Sequence, residues 1–246
     1  MSVFVVVHGS WHDGAMLAPV VWQLEAAGHR ALAPTLAGHG KNADPRTRHD
    51  DCVNSLVRFL VDNDLKDVVL VGHSFAGTVI SRAAPLCTER LRRLVFWNAF
   101  VLNDNECLLD AVPPHYRTMF EEIAARAPDN GVMLPFPVWR EAFINDASID
   151  EARAAYERLY PEPYRLFTDR LQLRDFYALV HGGRIGCSYI NCTDDISLPQ
   201  TEEWGWHPRM SGRLGLCRIV QTPGSHEVLF TNPAAIAQAI IHAGRD

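Results

Sequence analysis

The stretch that decides the fold is Val68–Gly77, which reads VVLVGHSFAG. Its first residues are apolar and mostly β-branched, which predicts a strand buried on both faces, as in a parallel sheet. Small residues surround Ser74, and the apolar residues after them predict the first turn of a helix. A serine on such a turn lies above the sheet edge, beside helix N–H groups that favour negative charge. The stretch therefore predicts a nucleophile elbow, with Ala76 in place of the second glycine of G-x-S-x-G; the alternative is an ordinary junction with an incidental serine.

Strands and helices alternate on both sides of this stretch. Such alternation is typical of βαβ units, which build a mostly parallel sheet flanked by helices. The predicted strands are Val3–Val7, His29–Pro34, Val68–Val71, Leu91–Asn98, Gly186–Cys192 and Gly215–Val220. The predicted helices are Ala15–Ala27, Asp51–Asp62, one from the elbow to about Cys87, Tyr116–Arg126, Ile149–Leu159, Leu173–Leu179 and Pro233–Ala243.

The alternation pauses between residues 101 and 183, where prolines separate short helical stretches and no strand is predicted. Residues 1–100 and 184–246 are the predicted α/β core, and residues 101–183 are a helical lid or a separate subdomain. The insertion precedes the penultimate strand. Because open α/β sheets bind ligands at the carboxyl ends of their strands, we expect a cap over that edge.

Size and charge exclude several classes of function. The chain has 246 residues, 48% hydrophobic and 21% charged, which is ordinary for one soluble globular domain with or without an insertion. A formal net charge of −6 gives no basic surface for nucleic acid. No apolar run approaches the roughly 20 residues that cross a bilayer, so we expect no contact with a membrane.

The N-terminus and the cysteines indicate a cytoplasmic protein. Met1-Ser2 leads directly into the strand Val3–Val7, without the basic segment or cleavage site of a signal peptide. The 6 cysteines are dispersed and form no C-x-x-C pair. We therefore expect free thiols in a reducing compartment rather than disulfides.

A serine nucleophile needs a base and an acid that orients the base, and two later loops supply candidates. The last predicted strand leads towards His226, and the strand before it leads into the acidic pair Asp194-Asp195. Serine, acid and histidine follow each other in the order of α/β-hydrolase triads. The backbone N–H groups of Ser10 and of Phe75, the residue after the serine, are the candidate oxyanion hole.

Together these motifs resemble the α/β-hydrolases, and in particular the small capped group of plant methylesterases, hydroxynitrile lyases and bacterial esterases. The resemblance covers nearly the whole chain and rests on His8–His12, Gly72–Gly77, Cys192–Asp195, Leu198-Pro199 and Gly224–His226. It implies an α/β-hydrolase fold whose lid covers a mostly apolar pocket. In this family the acid is the second residue of the acidic pair, which implies Asp195 rather than Asp194.

The expected function is cleavage of a small carboxylic ester, with apolar or aromatic parts, by a serine hydrolase. Ser74 is the expected nucleophile, His226 its base and Asp195 the residue that orients the base, with an acyl-enzyme intermediate and no cofactor. The alternatives are a cofactor-free lyase or polyketide-type tailoring enzyme, and a ligand-binding receptor on a hydrolase scaffold.

Two positions bear on the lyase alternative. The lyases that this chain resembles carry a threonine at the position of Gly9, whose hydroxyl contacts the substrate, and a lysine at the position of Glu227, whose charge stabilises cyanide. Gly9 has no hydroxyl, and Glu227 brings the opposite charge. Both positions favour the hydrolase.

The candidate pocket residues are Trp11, His12 and Trp139. For His12 and Phe75, packing within a loop is the alternative to facing the substrate. The other aromatic residues that suggest an aromatic or apolar substrate are Phe136, Phe143, Tyr156, Tyr160, Tyr164, Phe167, Phe176 and Tyr177. Trp204 and Trp206 either line an aromatic pocket or simply pack against neighbouring side chains.

The remaining histidines give no sign of a metal site, because their spacing fits none of the usual ligand patterns. We expect His8 and His73 to be structural and His115 and His181 to face solvent. A small-molecule ester is the expected partner, and a homodimer is the one association left open.

Overall fold

The computed structural model of the chain describes residues 1–245, with the backbone alone at residue 42. Its strands, numbered in chain order, are β1 Val3–Val7, β2 Arg30–Leu32, β3 Val68–His73, β4 Leu91–Trp97, β5 Gly131–Val132, β6 Glu162–Pro163, β7 Gly186–Cys192 and β8 Cys217–Thr222. Within residues 1–245, six strands form one sheet in the order β2-β1-β3-β4-β7-β8, and all neighbours are parallel. The predicted α/β class with a parallel sheet is confirmed.

Helices cover the sheet and fill the chain between β4 and β7. The α-helices are α1 Ala18–Ala26, α2 His49–Asp62, α3 Ala76–Ala83, α4 Pro114–Arg126, α5 Phe136–Val138, α6 Ile149–Tyr156, α7 Arg165–Thr168, α8 Arg174–His181, α9 Arg209–Gly212, α10 Val228–Thr231 and α11 Pro233–Ala243. Short 3₁₀ helices occupy Gly14–Leu17, Gly40–Asn42, Ala84–Leu86, Thr88–Arg90 and Leu108–Ala111, and a π-helical turn occupies Trp139–Phe143.

Two predicted helices are shorter than expected because of prolines. Proline lacks the N–H that a helix interior needs, and it is tolerated only in the first turn. Pro19 stands in the first turn of α1, so the residues before it form a separate 3₁₀ turn. Pro85 follows α3, which stops at Ala83 and continues as a 3₁₀ turn.

The strand order reverses next to β1. The chain passes from β1 to β2 on one side and then to β3 on the other side. In open α/β sheets such a reversal opens a crevice at the carboxyl ends of the strands. The loop after β1 and the turn after β3 therefore lie side by side at this crevice.

β3 is buried on both faces and supplies two apolar cores. Val69 and Val71 belong to the cluster that contains Val20 of α1 and Ile240 of α11. Leu70 belongs to the opposite cluster, with side chains of α2 and α3. This alternation is the physical reason why the strand is apolar without a break.

The segment between β4 and β7 shares the second of these cores. Val132, Trp139 and Phe167 belong to the same buried cluster as Leu70. The prediction that this segment contains no strand is wrong for β5 and β6, which pair in antiparallel orientation. Strands of two residues are too short to show an alternating pattern. None of the helices in residues 1–245 has the length and apolar character that crossing a membrane requires.

We predict that Leu70→Ala lowers the free energy of unfolding by about 2–5 kcal/mol, because the side chain is fully buried at the centre of β3 and its removal leaves a cavity. Leu86→Ala is the control, since Leu86 is 59% exposed and should change stability by no more than about 0.5 kcal/mol. Urea unfolding measures both; equal losses would contradict the central position of β3.

Candidate active site

The turn after β3 holds Ser74 in a strained conformation. Ser74 has a φ of 53°, a left-handed value that residues other than glycine rarely adopt. Its N–H donates to the carbonyl of Trp97 at 3.1 Å, and its carbonyl accepts from the N–H of Phe100 at 3.1 Å. A Cβ on Gly72 would lie 2.9 Å from the carbonyl oxygen of Ala76, so the turn can close only over a glycine.

Three side chains from separate loops meet beside this turn. The Nε2 atom of His226 lies 2.9 Å from the Oγ atom of Ser74. The Nδ1 atom of the same ring lies 2.7 Å from the Oδ2 atom of Asp195. All three residues are buried. The structure thus brings together Ser74, Asp195 and His226, the three residues that the sequence predicts, at the carboxyl ends of β3, β7 and β8.

The Asp195 carboxylate is held by two residues that the sequence analysis missed. Ser197 donates to Oδ1 from its backbone N–H at 2.8 Å and from its hydroxyl at 2.6 Å. The side-chain amide of Asn98 donates to Oδ2, and its oxygen accepts from the N–H of Cys192 at 2.7 Å. Asn98 follows the end of β4, a polar residue at the edge where the serine also lies, and this placement was the available signal.

At Asp195 and at His226, charge pairing changes the pKa more than burial does. Burial alone would raise the pKa of Asp195, but the neighbouring His226 and the hydrogen bonds from Ser197 and Asn98 lower it below its usual value of 3.8. Burial alone would lower the pKa of His226, but the Asp195 carboxylate raises it above its usual value of 6.5. The pair therefore favours an ionised acid and a base that binds a proton readily.

Asp194, the other residue of the acidic pair, has a different neighbour. Its Oδ2 accepts from the backbone N–H of Gly224 at 2.8 Å. Asp194 thus connects the loop after β7 to the loop after β8, whereas Asp195 contacts the imidazole itself.

The two candidate oxyanion donors come from two neighbouring loops, and Ser10 lines the same cavity as Ser74. Ser10 lies in the loop after β1, and Phe75 follows the serine directly. Within residues 1–245, neither backbone N–H donates a hydrogen bond to another protein group. Two unpaired N–H groups beside a serine hydroxyl are suited to bind an oxygen that becomes negative.

A narrow apolar cavity opens onto Ser74. The centre of a water molecule can move within about 30 Å³ of it, so it admits only small groups unless its walls shift. Its lining is mostly aromatic and aliphatic, with a few hydroxyls and the base: Ser10, Trp11, Ser74, Phe100, Leu108, Val112, Tyr116, Phe120, Phe143, Phe167, Ser197, Leu198, Trp206 and His226.

The cavity corrects two of the predicted pocket residues. Trp11 lines it, as predicted, but His12 and Trp139 do not. Trp139 is fully buried behind the wall, where its indole N–H donates to the carbonyl of Ala152 at 3.1 Å. His12 turns away towards Glu227. Of the other aromatic residues that the sequence suggested, Phe143 and Phe167 line the cavity, and two that it did not suggest, Tyr116 and Phe120, line it as well.

Further aromatic and histidine side chains divide between the wall and the packing around it. Trp206 lines the cavity and stacks on the His226 ring with 5.2 Å between centroids, while Trp204 lies under the Arg209 guanidinium. Phe75 packs between the rings of His39 and His49.

His8 and His73 make hydrogen bonds to the backbone of neighbouring loops, which is the structural role that the sequence predicts. His8 accepts at Nε2 from the N–H of Leu36 at 3.1 Å, which ties the end of β1 to the loop after β2. His73 contacts the carbonyl of His226 at 3.0 Å through Nε2. His115 and His181 are exposed. Among the described residues, no group of three or more His, Cys, Asp or Glu side chains is arranged to hold a metal ion.

The class of protein follows from the fold and from a family match. The chain matches the alpha/beta hydrolase family over residues 4–239 and belongs to that family.

Three similar proteins show which members of the family this chain resembles. A solved extracellular alpha/beta-hydrolase from a Paenibacillus species superposes with a TM-score of 0.96 at 34% identity, covering 100% of both chains, and is described as sharing structural and functional homology with tobacco salicylic acid binding protein 2. An Arabidopsis thaliana alpha-hydroxynitrile lyase is 32% identical over 96% of this chain and 95% of its own. A carbendazim hydrolyzing esterase from Nocardioides sp. is 31% identical over 64% of this chain and 72% of its own. The relatives that are named esterases and hydrolases support assignment of this chain as a carboxylic ester hydrolase.

We predict that Ser197→Ala lowers the free energy of unfolding by about 1–3 kcal/mol at pH 7, because a buried hydrogen bond to an ionised carboxylate is lost. The depressed pKa of Asp195 contributes stability above its unfolded value near 3.8, and this contribution disappears as the pH falls through the folded value. The loss caused by Ser197→Ala should therefore shrink below pH 3.8.

Ser188→Ala is the matched control, because the buried Ser188 hydroxyl donates to the neutral carbonyl of Ala243 at 2.7 Å. Its cost should not depend on pH in the same range. Chemical unfolding between pH 7 and pH 3 measures both variants, and parallel curves would contradict the role of Ser197 at Asp195.

Proposed function

We propose that this protein is a serine esterase that cleaves a small, apolar or aromatic carboxylic ester through an acyl-enzyme. The observation that carries the proposal is the continuous contact from Asp195 through His226 to the hydroxyl of Ser74. A serine hydroxyl is a weak nucleophile until such a base removes its proton.

Each contact of the site has a role in the proposed reaction. Because Asp195 accepts from Nδ1 of His226, the Nε2 lone pair faces the Ser74 hydroxyl. His226 takes the serine proton as Oγ attacks the ester carbonyl, and Asp195 stabilises the imidazolium. The N–H groups of Ser10 and Phe75 bind the oxyanion. His226 then protonates the leaving alcohol, and a water molecule activated by the same base releases the acid.

The cavity wall supports a neutral substrate. Its side chains carry no Lys, Arg, Asp or Glu within the described residues, so a charged group on the ester would lose its hydration without gaining a partner. The aromatic rings of Trp11, Phe143 and Trp206 offer flat apolar surfaces. We therefore propose small apolar or aromatic acyl or alcohol parts, with no cofactor in the reaction.

The similarity to a hydroxynitrile lyase makes cyanohydrin cleavage the second candidate. A Cβ at Gly9 would lie 3.0 Å from Cβ of Ser74 and 3.1 Å from Nδ1 of His73, so a threonine there requires its neighbours to move. The sequence argument about Glu227 is corrected: its carboxylate is buried, pairs with His12 at 3.0 Å and does not line the cavity. Absence of a cation at this position, rather than repulsion by Glu227, disfavours stabilisation of cyanide.

The proposed surroundings of the enzyme are those of a cytoplasmic protein. All 6 cysteines are free, and five of them are buried, which suits a reducing compartment. The similar Paenibacillus protein is described as extracellular, so cell fractionation is the direct test. A homodimer remains a prediction.

We predict that Ser74→Ala keeps the fold and lowers kcat for aryl and methyl esters by at least about 10³-fold, because the residues of a triad act as a unit. A fluorophosphonate should label Ser74 in the natural protein, as located by mass spectrometry. Ser81→Ala is the matched control, since the Ser81 hydroxyl lies on α3 and donates to the carbonyl of Gly77 instead. Retention of a tenth of the activity in Ser74→Ala would exclude the proposed nucleophile.

The same assay separates the candidate functions. An esterase turns over p-nitrophenyl, aryl or methyl esters and releases no cyanide from mandelonitrile above background. Cyanide release without ester turnover would establish the lyase. Labelling of Ser74 without turnover of any ester would favour the receptor or a cofactor-free tailoring reaction.

We predict that Asp195→Asn lowers kcat/KM far more than Asp194→Asn, because only Asp195 contacts the His226 ring. The pH profile gives a second measurement. Since His226 acts as a base when neutral, activity falls as the pH drops through its pKa, and the raised pKa places this limb above pH 6.5. Asp195→Asn should move the limb to lower pH, whereas Asp194→Asn should leave it in place. The reverse ranking would assign the acid to Asp194.

A further inference from the structure

The peptide group between Ser10 and Trp11 is held at both ends by buried ionisable side chains. Its N–H, on Trp11, donates to the Oε2 atom of Glu162 at 2.9 Å. Its carbonyl, on Ser10, accepts from the Nδ1 atom of His12 at 2.6 Å. Glu162 and His12 are almost completely buried. One peptide group is thus fixed from two sides directly after the proposed oxyanion donor, the N–H of Ser10.

Each of these side chains belongs to an ion pair. The second carboxylate oxygen of Glu162 lies 3.1 Å from Nε2 of His39, and Nε2 of His12 lies 3.0 Å from the Glu227 carboxylate. The Nδ1 atom of His39 faces the carbonyl of Ala37 at 3.0 Å. Both nitrogens of His39 thus face hydrogen-bond acceptors, and the ring fits them as an imidazolium. His12 hydrogen bonds through Nδ1, while its Nε2 makes an ionic contact with Glu227 that lacks hydrogen-bond geometry.

Electrostatics supports these protonation states. Burial alone would lower the pKa of both rings, but Glu162 raises the pKa of His39 well above 6.5, and Glu227 raises that of His12. Both rings are therefore favoured as cations beside their partners. A charged acceptor binds a backbone N–H more strongly than a neutral one.

The backbone at this point needs such restraint. Trp11 has a φ of 65°, a left-handed value that is costly for a bulky residue and persists only when its surroundings fix it. The carbonyl of Trp11 accepts from the N–H of Tyr160 at 2.9 Å, and its indole donates to the carbonyl of Val132 at 2.8 Å. The segment that contains β5 and β6 therefore forms hydrogen bonds with the loop after β1, and it also contributes side chains to the cavity wall.

We propose that the pairs His39–Glu162 and His12–Glu227, which we call the Ser10–Trp11 clamp, are positioning residues for the oxyanion hole. By fixing the peptide that follows Ser10, the clamp fixes the direction in which the N–H of Ser10 points. The proposal rests on the proposed esterase function, since it assigns the clamp to stabilisation of the transition state.

The test compares two double variants that differ in one acceptor. His39→Leu/Glu162→Leu removes both charges together, so no unpaired buried charge remains, and it leaves the N–H of Trp11 without an acceptor. His39→Leu/Glu162→Gln also removes both charges but keeps an amide oxygen for that N–H. Folding is checked by thermal unfolding, and kcat and KM are measured with an aryl acetate.

An aryl trifluoromethyl ketone provides the second readout. Ser74 adds to its carbonyl carbon while His226 takes the proton, and the resulting hemiketal oxyanion occupies the oxyanion hole. We expect the leucine double variant to lose at least about tenfold in kcat and a similar factor in ketone affinity, with KM changed by less than about twofold. The glutamine double variant should recover most of both losses.

Each result decides a separate question. Equal kcat and equal ketone affinity in the two double variants would overturn the clamp. Failure of the natural protein to form a ketone adduct or turn over an ester would refute the proposed function instead. If the leucine double variant does not fold, His12→Phe/Glu227→Leu tests the carbonyl end with the same readouts, and unchanged values there would likewise overturn the clamp.

Discussion

The whole site depends on the conformation of one backbone position, Ser74. A φ of 53° is unfavourable for serine and is maintained here by hydrogen bonds to Trp97 and Phe100, at the end of the neighbouring strand β4. Because β3 and β4 pair up to His73 and Trp97, the elbow is an extension of the sheet itself. The direction of the serine hydroxyl is therefore set by sheet register, and the base and acid must come from loops that reach the same edge.

This dependence explains why the fold and the principal site residues could be predicted from the sequence. Val68–Val71 is apolar because both faces of β3 are buried, and such a strand is visible as a pattern of residues. The carboxyl ends of parallel strands share one edge, so residues that follow different strands meet. His226 lies 152 positions from Ser74 and 31 from Asp195 in the chain, yet one topological rule predicts their contact.

The clamp and the cavity wall follow no such rule. Glu162 lies in a strand of two residues and contacts Trp11 from 151 positions away, so neither periodicity nor strand order identifies the pair. The sequence order puts Glu227 next to His226 and so suggests a position near the leaving group, but successive loop residues point in different directions and its carboxylate faces His12. The same limit applies to Trp139, since aromatic composition does not distinguish the wall of a cavity from the layer behind it.

Three buried imidazole–carboxylate pairs connect the loops around the site: Asp195–His226, Glu162–His39 and Glu227–His12. Their contacts distinguish the ring of His226 from the other two. Unpaired buried charge is costly, so each pair is stable only when its two segments come together. The pairs therefore couple the loop after β2 to the segment before β7, and the loops after β1 and β7 to the loop after β8. His39 faces acceptor oxygens through both nitrogens, and His12 hydrogen bonds to the Ser10 carbonyl through Nδ1 and makes an ionic contact with Glu227 through Nε2. His226 faces a carboxylate on one side and a hydroxyl on the other. Of these three rings, His226 is the one that lines the cavity and contacts the Ser74 hydroxyl, and this placement supports Ser74 as the proposed nucleophile.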